Sequence, residues 1–152
     1  MSDITTVILA AGNSTRFKAS KSKLVYPLCG LPIVSHIFNI AKKISGKNIL
    51  VVSNEKNKEE LKLILNTSKL VVQKKQKGTA DAIEQVKKYV KSKNILILFG
   101  DTPLVEIKDI RKLVSKFKKS KAKASLIAFN TSEPHGYGLS LIHISEPTRL
   151  QQ

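Results

Sequence analysis

The sequence predicts an α/β protein built on a mostly parallel sheet with helices on both of its faces. Two observations carry this expectation. Short runs rich in Val, Ile and Leu recur along the chain, and they lack the in-and-out alternation of half-exposed strands, as strands buried on both faces do. Between them lie amphipathic stretches with helical spacing, so strand and helix alternate as βαβ units with right-handed crossovers.

In chain order, the strands are expected at 4–10, 48–53, 69–73, 94–99 and 124–130. The helices are expected at 34–44, 56–65, 80–90 and 107–117. The first strand is set by the run Val7-Ile8-Leu9, which stops in a loop of small residues. In the first helix Ile37, Ile40, Ala41 and Ile44 share one face, and in the last Ile110, Leu113, Val114 and Phe117 do the same. In folds of this kind ligands bind at the carboxyl ends of the strands. The rhythm breaks after Gly138. Ser140-Leu141-Ile142 reads as a strand start, yet no helix follows, and 140–149 resembles translated sequencing-adapter read-through. Residues 1–138 are therefore read as a partial domain and 139–152 as a foreign or artefactual tail, a natural edge strand being the alternative.

The 152 residues make one domain's worth of chain, with apolar content of 41% and no run long enough to span a bilayer. Nothing at Met1-Ser2-Asp3 looks like a signal peptide, and Cys29 is the single cysteine, so a cytoplasmic, reducing setting is expected. Of the 27 basic residues only Arg16, Arg111 and Arg149 are arginine, and the lysines are spread along the chain. With aromatic content of 5% and no stacking motif or zinc spacing, no specific nucleic acid is expected as partner. The formal charge of +16 instead reads as a solvated surface that draws anionic substrates toward a cleft.

Three motifs carry chemistry. In Leu9-Ala10-Ala11-Gly12-Asn13-Ser14-Thr15-Arg16, with Lys23 beyond, small residues allow a ligand close to the backbone. Arg16 supplies a fork and Lys23 a point charge for phosphate oxygens. The loop fits neither the Walker pattern nor the three-glycine dinucleotide fingerprint, and two solvated cations on a plain connection remain an alternative. Phe99-Gly100-Asp101-Thr102-Pro103-Leu104 places a carboxylate at a strand's carboxyl end, a hard oxygen ligand suited to Mg²⁺, although every residue of Gly-Asp-Thr-Pro also suits a turn. Gln73-Lys74-Lys75-Gln76-Lys77-Gly78-Thr79-Ala80 brings amides fit to read a base edge and a helix start at which Thr79 is a sound cap.

Taken together, Gln73-x-x-Gln76-x-Gly78-Thr79-Ala80, Gly100-Asp101-x-Pro103-Leu104 and Glu133-Pro134-x-Gly136-Tyr137-Gly138 resemble the N-acetylglucosamine-1-phosphate uridylyltransferase family, over residues 6–138. The resemblance implies a Rossmann-like nucleotide-diphospho-sugar transferase fold, three-layer α/β/α, incomplete at its C-terminus. It implies an Mg²⁺-dependent enzyme joining UTP to N-acetylglucosamine 1-phosphate with release of pyrophosphate, for cell-envelope precursors. Leu9, Ala10, Ala11 and Gly12 would line uracil and ribose; Arg16 and Lys23 would hold the triphosphate. Gln73, Gln76, Gly78 and Thr79 would read uracil, Asp101 would bind Mg²⁺, Phe99 and Gly100 would line the pocket, and Gly138 would meet the sugar. Phe99 stands where the family has Tyr, Ser14 where it has a second glycine, and Leu139 where an arginine follows Gly-Tyr-Gly. Cytidylyl or guanylyl transferases, and a nucleotide-binding fragment without turnover, are the rival readings. A sugar phosphate is already ionised, so His36, His135 and His143 receive no catalytic role. No membrane is expected as a partner, and the full-length parent is left open as a homo-oligomer.

Overall fold

A computed structural model of the chain describes residues 3–12, 21–66, 69–75, 77–128 and 132. Arg16, Gln76, Gly138 and the tail expected at 139–152 lie outside the described residues. In chain order the elements are β1 (Ile4–Leu9), a hairpin of β2 (Pro27–Leu28) and β3 (Leu31–Pro32), α1 (Ile33–Ser45), β4 (Ile49–Ser53) and α2 (Lys58–Leu65). They continue with β5 (Lys69–Val72), α3 (Thr79–Val86), β6 (Asn94–Phe99) and α4 (Ile107–Lys119).

The four long strands form one parallel sheet in the order β5-β4-β1-β6. After β1 the chain builds outward through β4 and β5, then returns to place β6 on the other side of β1. The strand order thus reverses between β1 and β6, and a crevice opens at their carboxyl ends.

Side-chain parity sorts the core. Ile4 and Ile8 of β1, Ile49 and Val51 of β4, and Leu96 and Leu98 of β6 point to one face. There they meet Val34, Ile37, Phe38 and Ala41 of α1, Leu61 and Leu65 of α2, and Ile110 of α4. Val7, Leu50 and Val52 point to the other face and pack on Ala82 and Val86 of α3. Helices therefore cover both faces, as the alternating pattern predicts. Helix α1 ends where Gly46 takes φ 58° and returns its N–H to the Lys42 carbonyl at 3.0 Å, a conformation open to glycine at little cost.

Three expectations are corrected, and one element is added. Strand β6 is not buried on both faces: Ile95, Ile97 and Phe99, in register with Thr5, Val7 and Leu9, are exposed. The cause is that α3 is short and sits over β4 and β1, so no described helix reaches this end of that face. No strand forms in the described part of the segment expected at 124–130, namely 124–128, and Leu126 and Ile127 there are exposed. A strand needs a neighbouring ladder, and the outer edge of β6 has none among the described residues. The helix expected over 80–90 ends at Val86 and tightens into a 3₁₀ turn at Lys87–Tyr89. Finally, the β2–β3 hairpin had no counterpart in the periodic reading. Its turn, Cys29-Gly30, has positive φ at both residues (48° and 80°), the geometry that matches the twist of a two-residue hairpin. The His36 imidazole donates to the Leu28 carbonyl at 2.8 Å and ties this hairpin to α1, a structural role.

Candidate nucleotide site

A cleft of about 310 Å³ lies at the carboxyl ends of β1 and β6. Its wall is formed by Leu9, Ala10, Ala11 and Gly12 after β1, Lys23 and Leu24, Gln73, Gly78, Thr79 and Ala82, and Phe99 and Asp101 after β6. Ten of the residues singled out in the sequence thus meet around one space, although they come from four separate parts of the chain. Gly100 lies behind the wall. Its N–H donates to the Leu9 carbonyl at 2.9 Å, and a Cβ at this position would stand 3.2 Å from that same oxygen. Glycine is what lets the β6 turn lie against the end of β1.

Each side chain is placed by a local device. Lys23 opens a single 3₁₀ turn, Lys23–Val25, whose start is capped by the Ser22 hydroxyl accepting from the Leu24 N–H. Leu24 is buried in the core, so the turn is anchored and Lys23 is held at the rim. From there its ammonium reaches the Asp101 carboxylate, with Nζ 2.7 Å from Oδ2. Both side chains remain partly exposed, 38% and 42%, so the pair is accessible to an incoming polyanion or cation. Asp101 follows β6 in a turn closed by Thr102, whose hydroxyl donates to the Phe99 carbonyl at 2.8 Å. The turn leaves the Asp101 carboxylate at the rim of the cleft, 42% exposed.

Gln73 is 4% exposed, and its backbone N–H donates to the Ser53 carbonyl at 2.8 Å. Its side-chain amide donates to Asp81 Oδ2 at 2.6 Å and to the Gly78 carbonyl at 3.2 Å. Both amide hydrogens are spent on shaping the turn, so what this side chain can offer a base is its carbonyl oxygen. Thr79 does not cap α3. The cap position belongs to Gly78, with φ 100° and no side-chain bond, and Thr79 is the first helical residue. The physical reason is the sharp reversal after Lys77, which needs a positive φ that glycine adopts without strain.

Among the described residues no group of three or more His, Cys, Asp or Glu converges as a metal cage. Asp101, a single partly exposed carboxylate at the rim beside Lys23, fits a Mg²⁺-type ion that keeps its waters and takes one carboxylate plus substrate oxygens. No described helix is long and apolar enough to cross a membrane. The sequence reading missed Leu24, Ala82 and Asp81, and also Asn54 and Asn57 behind the first loop.

A parallel sheet with its cleft at the strand-order reversal, a small-residue loop, and a Lys–Asp pair at the rim define a nucleotide-handling α/β domain. Residues 6–147 match the MobA-like NTP transferase domain, and the chain belongs to that family. Among curated proteins it is 42% identical over 138 residues to the bifunctional protein GlmU of Buchnera aphidicola subsp. Schizaphis graminum, covering 90% of this chain and 30% of that protein. It is 38% identical over 143 residues to the GlmU of Campylobacter fetus, covering 91% and 32%. The chain thus spans about a third of the length of these relatives. In fold it is similar to the CMP:2-keto-3-deoxy-manno-octonic acid synthetase solved with CTP (TM-score 0.66, 19% identity, 78% of this chain and 48% of the other). It is also similar to Rv0371c of Mycobacterium tuberculosis solved with manganese (TM-score 0.60, 19% identity, 78% and 61%). At these identities the likeness bears on the fold, which is that of the nucleotide-diphospho-sugar transferases.

Proposed function

We propose that the chain is the nucleotide-binding part of a uridylyltransferase that makes UDP-N-acetylglucosamine from UTP and N-acetylglucosamine 1-phosphate. The observation that carries this reading is the convergence of Lys23, Asp101, Gln73, Gly78, Thr79 and the Ala10–Gly12 backbone on one cleft. The similarity to GlmU proteins supports the choice among nucleotides and sugars.

In this reading the uracil and ribose lie on Leu9, Ala10, Ala11 and Gly12, with Gln73, Gln76, Gly78 and Thr79 at the base edge. Phe99 lines the pocket with Gly100 behind it, and Gly138 meets the sugar. Lys23 and Arg16 balance the charge of the triphosphate, Arg through a fork and Lys through a point charge. A phosphate oxygen of the sugar 1-phosphate attacks the α-phosphorus in line. A new P–O bond forms, the bond to the bridging oxygen of the β-phosphate breaks, and pyrophosphate leaves with the electron pair. No proton has to be removed from the nucleophile, so positioning and charge neutralisation do the catalysis. Asp101 would hold Mg²⁺, which, when bound, neutralises the negative charge gathered on the reacting phosphates. In the same reading residues 1–138 are the partial transferase domain and 139–152 a foreign segment, although the family match extends to residue 147, and the cytoplasm supplies the nucleotide.

The test is pyrophosphate release from UTP and N-acetylglucosamine 1-phosphate with Mg²⁺, beside CTP and GTP. Release selective for UTP is expected; release with CTP or GTP alone would move the protein to another branch of the family. Folded protein that binds UTP without turnover would make it a binding fragment.

A further inference from the structure

We infer that Asn54 and Asn57 are positioning residues that hold the loop Ala10-Ala11-Gly12 in the form that receives a nucleotide. The inference rests on the nucleotide reading of the cleft. Both asparagines follow the carboxyl end of β4, the strand next to β1, and both are buried, at 7% and 2% exposure. Buried amides of this kind are costly unless satisfied, and here nearly every hydrogen-bonding group has a partner. Asn54 Oδ1 accepts from the Lys56 and Asn57 N–H groups, each at 2.9 Å. Asn57 Oδ1 accepts from the Asn54 N–H at 3.0 Å. Each side chain is thus locked by the other's backbone.

The remaining ends of both amides point the same way. Asn57 Nδ2 donates to the Ala10 carbonyl at 2.8 Å, and Asn54 Nδ2 donates to the Ala11 carbonyl at 3.0 Å. Two successive peptide planes of the loop are therefore tied by their oxygens to the turn between β4 and α2. A trans peptide carries its N–H on the opposite side from its oxygen, so the clamp also sets the direction of the Ala11 and Gly12 N–H groups. Ala10, Ala11 and Gly12 line the cleft; the Ala10 N–H is held by the Val52 carbonyl at 2.8 Å and the Ala10 and Ala11 methyls are buried, so what the clamp adds is the orientation of the two peptide planes that follow Ala10. With the Ala10 and Ala11 carbonyls untied, those two peptide planes gain freedom, and binding a ligand would then have to order them at a cost in affinity. The asparagines touch the loop from behind and are not among the residues that line the cleft.

The reciprocal lock makes a sharp expectation. Asn54→Ala and Asn57→Ala should each weaken UTP binding about tenfold, the worth of one or two lost buried hydrogen bonds. The double variant should bind little worse than either single, because each side chain needs the other to be aimed. Equilibrium binding of UTP with Mg²⁺ to the full chain, with melting temperatures measured in parallel, reads this directly. Amide hydrogen exchange supplies a second readout: Ala11 and Gly12 should exchange faster in the variants while the amides of β1 keep their protection. If the alanine variants do not fold, Asn54→Ser and Asn57→Ser carry the test, since a hydroxyl can keep the local turn but cannot reach the loop. Variants that melt lower yet bind UTP as well as the parent would overturn the inference and leave a purely structural role. Effects that multiply in the double variant would overturn the mutual lock. If the parent itself binds neither UTP, CTP nor GTP, the nucleotide reading fails first and this inference falls with it.

Discussion

In the proposed reaction the Lys23–Asp101 pair at the cleft rim would handle the phosphates and the metal ion. Partly exposed ion pairs of this type add little to stability, so their removal should be felt in function and hardly in folding. Asp101→Asn is expected to abolish pyrophosphate release while the melting temperature stays within a few degrees, and Lys23→Met is expected to raise KM for UTP. A large loss of stability in either variant, seen by thermal melting, would contradict this assignment. Gly78 sits at the other extreme, where conformation matters more than chemistry. At φ 100° any L side chain is strained, so Gly78→Ala should cost about 1–3 kcal/mol and loosen the Gln73–Asp81 turn, as read by urea denaturation. Lys23, Asp101, Gln73 and Gly78 were all legible in the sequence because each lies in a local motif with a recognisable ending. Asn54 and Asn57 were not, because the carbonyls they serve lie 43 and 47 positions away along the chain.

Among the elements, the helices on the crowded face carry most of the core. Ile37 of α1 is fully buried among residues of the sheet, and its truncation to Ala should destabilise the fold by about 2–5 kcal/mol, measured by denaturant unfolding. Helix α4 shows why its period was easy to read. Ile110, Leu113 and Val114 pack inward, while Lys108, Arg111, Lys112, Lys116, Lys118 and Lys119 face water. Lys108 pairs with Glu106 at the first turn, 2.7 Å apart. Strand β6 forms where its composition predicts, but one of its faces is exposed. A run such as Ile95-Leu96-Ile97-Leu98 specifies extended structure by its composition, but it does not say how far a neighbouring helix reaches across the sheet. The Pro-Leu-Cys-Gly-Leu-Pro hairpin escaped for a related reason: strands of two residues leave no period to detect.

At the scale of the whole molecule, an apolar strip and a large charge oppose each other. Ile95 and Ile97 lie exposed on β6, the edge strand among the described residues, with Leu126 and Ile127 also open to solvent. Exposed apolar edges of this kind favour association, whereas a formal charge of +16 favours separation until salt screens it. Light scattering should therefore rise as ionic strength is increased from about 0.01 M to 1 M, over which the screening length falls roughly tenfold. Ile95→Thr and Ile97→Thr together should suppress that rise without weakening UTP binding, since neither residue lines the cleft. Scattering that ignores both salt and these substitutions would show that the strip does not drive association.

By itself, the sequence determined the alternation of strand and helix, the parallel sheet, and the short motifs that end its strands. These are local properties: hydrophobic period, glycine at a reversal, a carboxylate after an apolar run. Only the tertiary structure decided which strands became neighbours, and so which motifs met. The order β5-β4-β1-β6 put β1 beside both β4 and β6, which brought Asp101 within 2.7 Å of Lys23 and set Asn54 and Asn57 behind Ala10 and Ala11. Strand order is a long-range outcome of which faces can be buried together, and no window of the chain a dozen residues wide contains that information.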